Sequence, residues 1–517
     1  MFSLQSVCLY LFILSSLVSG FTHPGLLVSD ADIVRIKAKI SARKNPWQAS
    51  WDKLVALEYS QPSYTDNAVA SVHRGTVDGV AGNADLLWHD AAAAFNLALR
   101  WKIEGSVTCA ETASNILGAW GRTLTSLEVS DDQYLTAGLQ GYQLVNAAEL
   151  LRDYAPFESS GNAQYFIAMF EKIFLAKNLF FLNHQAPSEH NVRHFFANWE
   201  LCNMASAMAY GIYTDNVTIY DFAVDYFKAG DGNGAINNAI SNLVSETGTS
   251  ATLGQPQEAG RDQGHTGLDF QLFGVVAQQA WNQGDDLYGY NSSRILLGAE
   301  YYARYNLGND VPFEPYTNGI VSYTAVSPAS RGAIRPTWEL LYAHYVQIKG
   351  LDAPWTELYK NHTIESMGGF EGGAGSWGEG SGHYDGLGWG SLLYHLDVAD
   401  VPAVSSTVPA VSSTVPAVSF TLPSSHSTTT SDLPSPSRTA SRIVQSKEPA
   451  TVASVSKSVP VEPQATKSEE TSRTSTLLAS HLVSGVHPTL GPALHTSCQP
   501  PITKTVYQLP TTIIVYD

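Results

Sequence analysis

Apolar side chains recur at helical spacing through the first three quarters of the chain. Residues 90–103 carry Ala93, Leu97, Leu99 and Trp101; 109–124 carry Ala113, Ile116, Leu117 and Trp120. Residues 135–154 carry Leu139, Tyr142, Leu144, Val145 and Leu151 in the same rhythm. Segments 198–213, 270–283 and 293–305 continue it, which predicts a series of amphipathic or buried helices. Strand-like alternation is scarce, and Gly- or Asn-rich turns separate the segments. The pattern predicts an all-α fold of paired helices. A ring of helical hairpins, an α/α toroid or incomplete barrel, satisfies it, and so does a plain bundle.

The pattern stops near residue 400. Beyond it the unit Val401-Pro402-Ala403-Val404-Ser405-Ser406-Thr407 repeats from Val408 and begins again at Val415. Such Ser/Thr/Pro-rich sequence buries too little apolar area to offset chain entropy, so 399–517 is expected to be a disordered tail resembling an O-glycosylated stalk. Its last residues, 503–517, lack the long apolar tail of a GPI signal. At the other end, 1–20 reads as a signal peptide, with an apolar run from Val7 to Val18 and small residues before a cleavage point after Gly20. That run is too short for a good membrane span. The expected organisation is therefore a leader (1–20), a helical catalytic domain (21–398) and the tail, in a secreted, extracellular protein.

An oxidising destination gives meaning to two further features. Asn216, Asn291 and Asn361 begin Asn-X-Ser/Thr sequons and are expected glycosylation sites on surface turns. Cys109 and Cys202 are either a disulfide pair or two buried thiols.

The net charge is -18, with an isoelectric point near 5.2. A field of that sign repels polyanions, which argues against nucleic acid and anionic membranes as partners. It leaves room for an acidic polysaccharide held in a locally basic cleft.

Four constellations carry candidate chemistry. In the stretch from Glu189 to Glu200, a helix would place Asn191, His194 and Asn198 on one face beside Trp199. Three such polar side chains suit a carboxylate; the plain alternative is a capped helix start. In Gly260-Arg261-Asp262-Gln263-Gly264-His265, Arg261 offers a planar fork for a carboxylate and His265, one turn on, suits proton transfer. The alternative is an ion pair of Arg261 with Glu258 or Asp262. In Asp286-Leu287-Tyr288-Gly289-Tyr290, a tyrosine hydroxyl is an acid/base candidate; the alternatives are a sugar-stacking surface or ordinary loop packing. The Gly372–Gly380 stretch, with Trp377 and nearby His383, looks like a phosphate loop. No Lys-Ser/Thr follows and no strand precedes it, so a flexible aromatic loop over a sugar cleft fits better. HExxH, CxxC and GxSxG are absent, and neither a metal nor a cofactor is expected.

The region from about 24 to 398 resembles the alginate lyase domain family of polysaccharide lyases. The resemblance lies in Trp88-His89-Asp90-Ala91-Ala92-Ala93-Ala94-Phe95, Asn198-Trp199, Gly260-Arg261-Asp262-Gln263-Gly264-His265 and Asp286-Leu287-Tyr288-Gly289-Tyr290, in that order. It implies an α/α toroid and β-elimination on a uronate polymer such as alginate or glucuronan. It also implies carboxylate neutralisation by Asn198, His194 and Arg261. Family members known to carry a tyrosine a few residues after the arginine differ from this chain, which has none there. The base is then His265, or Tyr288 or Tyr290 reaching in from another loop. Asn191, Trp199, Tyr290, Trp377 and His383 are expected to hold substrate. The competing expectations are an inverting glycoside hydrolase using Glu200, Glu258, Asp262, Glu379 or Asp385, and a carbohydrate-binding adhesin.

Overall fold

A computed structural model describes residues 20–401, apart from 77–78, 128–129, 188–190 and 247–250. The expected leader, save Gly20, and the tail from residue 402 onward lie outside the described residues.

The described chain is helical. α1 (Asp30–Ser41) and α2 (Trp47–Ala56) lead into α3 (Ala84–Glu104), α4 (Val107–Thr123) and α5 (Asp132–Leu150). The short α6 (Ala155–Ser159) precedes α7 (Asn162–Met169), which runs through a π turn into α8 (Ala176–Leu182). α9 (Ala197–Tyr213) and α10 (Val217–Ala229) make the next hairpin, followed by the single turn α11 (Ile236–Ala239). α12 (Gln263–Trp281) and α13 (Tyr290–Asn306) come next, then α14 (Trp338–Tyr342), α15 (Pro354–Ser366) and α16 (Gly390–Leu393). The strands are short: β1 (Ser71–Val72) pairs parallel with β2 (Ser126–Leu127). The ribbons β3 (Ile240–Ser245) with β4 (Thr252–Pro256), and β5 (Tyr316–Thr317) with β6 (Ser322–Tyr323), are antiparallel.

Local sequence sets the helix ends. Gly105 closes α3 at φ 75°, a left-handed conformation that costs glycine nothing. Ser106 then caps α4 by accepting from Cys109 N.

The packing is that of an incomplete α/α toroid. α3, α5, α9 and α12 form an inner row in chain order, each against the next, while α4, α10 and α13 return along the outside. The inner helices run parallel. Gly138 of α5 lies so close to α9 that a Cβ there would meet Cys202 Sγ at 2.2 Å. Their concave side is filled by irregular chain: Tyr142 donates to Asp385 O at 3.0 Å, Gln143 to Tyr384 O at 2.9 Å, and Trp389 Nε1 to Asn96 Oδ1 at 2.9 Å. One turn further along α5, Asn146 Oδ1 accepts from Leu27 N at 3.0 Å. Tyr142, Gln143 and Asn146 of α5 therefore satisfy backbone that has no helix of its own.

Cys109 and Cys202 are both free and buried, which decides between the two expectations. The three sequon asparagines are exposed. Asn216 caps α10, but Asn361 lies within α15 rather than on a turn. Among the described residues no helix is long and apolar enough to cross a membrane.

Candidate active site

The N-terminal ends of the inner helices gather at one end of the toroid. Asn203 of α9 donates to Tyr134 O at the start of α5, at 3.1 Å. Asn198, at the start of α9, donates from both its backbone and its side chain to Glu258 Oε1, just before α12. Asp385 joins Arg74, before α3, at 3.2 Å and Arg335 at 3.1 Å. Arg335 in turn donates to Gly264 O in the first turn of α12 at 2.9 Å. Each helix N-terminus contributes roughly half a positive charge, so this end attracts anions although the chain as a whole is acidic.

The centre of this end is built by the cap of α12. Asp262 is its N-cap, accepting from His265 N at 2.9 Å. The same carboxylate meets His265 Nδ1 at 2.6 Å. Arg261, one residue earlier, donates from Nη1 to Glu258 Oε2 at 2.7 Å and lies 3.2 Å from His265 Nε2 through Nη2. A guanidinium has only donors, so Nε2 accepts and the ring proton sits on Nδ1, given to Asp262. The guanidinium also stacks 3.9 Å from the centre of the Phe196 ring. Three neighbours thus fix Arg261, and it remains 24% exposed; His265 is 42% exposed. Burial alone would raise the Asp262 carboxyl, but the His265 hydrogen bonds and then the nearby charges hold it below the usual range.

A tyrosine does reach this centre, from an element the sequence pattern did not mark. Tyr323 of β6 lies against Gly260, where a Cβ would meet Tyr323 Cβ at 2.5 Å. Burial raises its phenol pKa, with Arg261 opposing, so the hydroxyl keeps its proton at neutral pH. Tyr323 pairs with Tyr316 across the β5–β6 ribbon.

The remaining predicted residues divide. Asn191, His194 and Asn198 do not share a helix face, because α9 begins only at Ala197 and the preceding residues form a turn. Asn191 ties that turn to the β5–β6 ribbon, donating to Asn318 O at 2.7 Å. His194 is half-buried with its ring 4.9 Å from that of Phe195. Asn198 joins the cluster but is 1% exposed, its amide given to Glu258. Trp199 forms an aromatic wall with Phe195, at 4.7 Å, and Phe181, at 6.1 Å.

Tyr288 and Tyr290 are not brought to the site. Tyr288 is fully buried, donates to Gln278 Oε1 at 3.1 Å and stacks on His344 at 3.6 Å, near the C-terminal end of α12. A 19-residue helix spans about 28 Å, so this lies far from His265 at the other end. Tyr290, two residues on, stays there with Lys228 5.9 Å from its ring.

Trp377 and His383, their rings 4.2 Å apart, line a recess of about 570 Å³ with Ile334, Ser366, Met367 and Ser376. Arg335 connects it to the centre, donating to both Gly382 O and Gly264 O. Four of the five carboxylates suited to hydrolysis are committed elsewhere. Glu258 and Asp262 serve Arg261 and His265, Asp385 joins two arginines, and Glu200 accepts from Gly234 N at 2.6 Å, fully buried.

A family model described as alginate lyase matches residues 39–313, more than half of the 517-residue chain. Among solved structures, alginate lyase A1-III from Sphingomonas species A1 is 15% identical, covers 73% of this chain and 98% of its own, and superposes with a TM-score of 0.40. A variant of alginate lyase A1-III complexed with tetrasaccharide gives 13% identity, 73% and 97% coverage and a TM-score of 0.45. An alginate lyase from Bacteroides ovatus gives 13%, 55% and 83%, with a TM-score of 0.38. These superpositions are loose, and the assignment rests on the matched family. No curated protein matches the sequence.

Proposed function

Because this chain belongs to the alginate lyase family and is a polysaccharide lyase, we propose that it is a secreted enzyme cleaving alginate or glucuronan by β-elimination at the Arg261–His265 centre. One observation carries the assignment of roles: a guanidinium fixed on three sides with an imidazole lone pair beside it, and the ring of Tyr323 packed against the preceding Gly260.

The chemistry follows from these atoms. The substrate C6 carboxylate binds at the exposed edge of Arg261 and at the helix ends, and its neutralisation makes the C5 proton more acidic. His265 turns its Nε2 lone pair from Arg261 to that proton and removes it; Asp262, anionic, holds the ring by Nδ1 and stabilises the imidazolium that forms. The C5–H electrons become the C4=C5 double bond as C4–O4 breaks. Tyr323 gives its proton to the departing O4, and solvent restores the phenol and imidazole. Asn198 and Glu258 act behind the guanidinium. His194 and Trp199 border the site, and the Trp377–His383 recess extends it toward further sugar units. Asn191 acts indirectly by holding the β5–β6 ribbon that carries Tyr323.

The test is absorbance near 235 nm, roughly where the unsaturated product of this proton transfer absorbs, with glucuronan, polymannuronate, polyguluronate and a neutral glucan. A rise with a uronan and none with the glucan is expected. New reducing ends without a rise would overturn the reading in favour of hydrolysis, and binding alone in favour of an adhesin. Tyr323→Phe is expected to lower kcat by about 10²-fold with KM little changed, the scale of a lost general acid. An unchanged kcat would remove Tyr323 from the chemistry. Secretion is tested by expressing the full chain and finding it in the medium beginning at Phe21.

A further inference from the structure

Beneath Arg261 the charges do not balance unless a proton is present. Glu258 and Asp269 are both fully buried. Asp269 lies one helical turn after His265 on α12, on the same face. Its two oxygens have no partner among the described residues other than the Glu258 carboxyl they face. The charged groups around this pair are Arg261, bonded to Glu258, and Asp262, committed to His265. Two buried carboxylates against one guanidinium would leave an uncompensated buried charge, which proteins avoid by binding a proton.

We propose that Asp269 is a positioning residue of this site, a neutral carboxylic acid that donates its proton to Glu258 and so keeps Glu258 the anionic anchor of Arg261 and Asn198. The proton belongs on Asp269 because Glu258 alone has strong donors: Asn198 N at 3.1 Å, the Asn198 amide and Arg261. Burial first, and then the Glu258 charge, drive the Asp269 carboxyl well above its ordinary range. The consequence is directional. With its proton, Asp269 supports Glu258 from below; without it, Asp269 would repel Glu258 and compete for Arg261, pulling the fork off the substrate carboxylate.

This rests on the proposed lyase reaction for its kinetic readout but not for its spectroscopic one. Asp269→Asn, whose amide donates where the acid did, is expected to keep kcat/KM near wild type. Asp269→Ala, which leaves Glu258 without its lower partner, is expected to lose about 10²-fold, the scale of a misplaced catalytic group. Equal losses in the two variants would overturn the proposal.

Infrared spectroscopy tests it without substrate, and its first arm does not depend on the fold of either Asp269 variant. The carbonyl stretch of a protonated carboxylic acid is expected at pH 7 in the full-length Glu371→Gln protein, which lacks the carboxyl raised to about 8. Where Asp269→Asn is added and folds, that band is expected to vanish. Absence of the band from Glu371→Gln, or a band left undiminished in the double variant, would overturn the proposal. A wild-type protein inactive on every uronan, with the band present in Glu371→Gln and lost in the double variant, would sink the lyase reading and leave the proton assignment standing.

Discussion

Arg261→Ala is expected to lower kcat/KM on the responsive uronan by about 10³-fold, roughly 4 kcal/mol of transition-state stabilisation. The guanidinium is fixed and partly exposed, it meets His265 directly, and the Tyr323 ring packs against the preceding Gly260. Negative charge grows on the carboxylate as C5 loses its proton, so the interaction strengthens toward the transition state, and kcat should fall along with substrate affinity. Arg261→Lys is expected to recover little. The fork reaches Glu258 with one nitrogen and His265 with the other while its plane rests on Phe196. A single ammonium cannot do all three. The helical circular dichroism should be unchanged, since α12 is capped by Asp262 rather than by Arg261. Retention of more than about a tenth of wild-type kcat/KM would mean that Arg261 mainly serves Glu258, a structural ion pair of the kind with modest energetic value.

How much of this was legible depended on whether a residue's role is local. The helix expected over 198–213 is observed as Ala197–Tyr213, because an unbroken apolar series announces it. The helix expected from 270 begins at Gln263. Its first turn, with Gly264, His265 and Gly267, carries no apolar rhythm, and the cap at Asp262 was the available signal. Arg261 and His265 were readable because cap geometry brings neighbours in sequence together. The expected shared face of Asn191, His194 and Asn198 failed for the opposite reason: Phe195 turns into the aromatic cluster around Phe181 and Trp199, and the chain is not helical before Ala197. Tyr323 was not legible. It arrives on a two-residue strand, too short for any periodicity, and its neighbour Gly260 gives no hint of which ring covers it. Tyr288 reads as an acid/base candidate in a loop beside Gly289 yet is a core residue, since proximity to glycine says nothing about burial.

The net charge was a guide only to what the protein repels. Arg74, Arg261 and Arg335 are matched at the site by Asp385, Glu258 and Asp262. What tips the balance toward an anion is the parallel arrangement of the inner helices, which directs their N-termini to one end. That bias is a property of topology and does not appear in a charge count.

Glu371→Gln is expected to flatten the dependence of stability on pH. Glu371 is fully buried at the base of α14, where its carboxyl accepts from Trp338 N at 2.9 Å and Glu339 N at 3.1 Å. Burial first, and then the charge of Glu339, push its pKa up to about 8, against the opposing pull of those backbone donors. The ordinary value, which the unfolded chain should show, is 4.5. Between these values the native state binds more protons than the unfolded state, so stability falls as pH rises. The contribution is complete below about 4.5 and gone above about 8. A shift of that size corresponds to a loss on the order of 5 kcal/mol across the window. The glutamine amide keeps an oxygen for the two backbone donors and turns its NH₂ toward Glu339, so the variant has nothing to ionise. Thermal unfolding between pH 5 and 9 should show a wild-type Tm that declines by several degrees and a Glu371→Gln Tm that declines less. The two curves should diverge most on the alkaline side, with the variant the more stable. Parallel curves would mean that Glu371 is already ionised at pH 5 and that the backbone donors at the start of α14 outweigh both burial and Glu339.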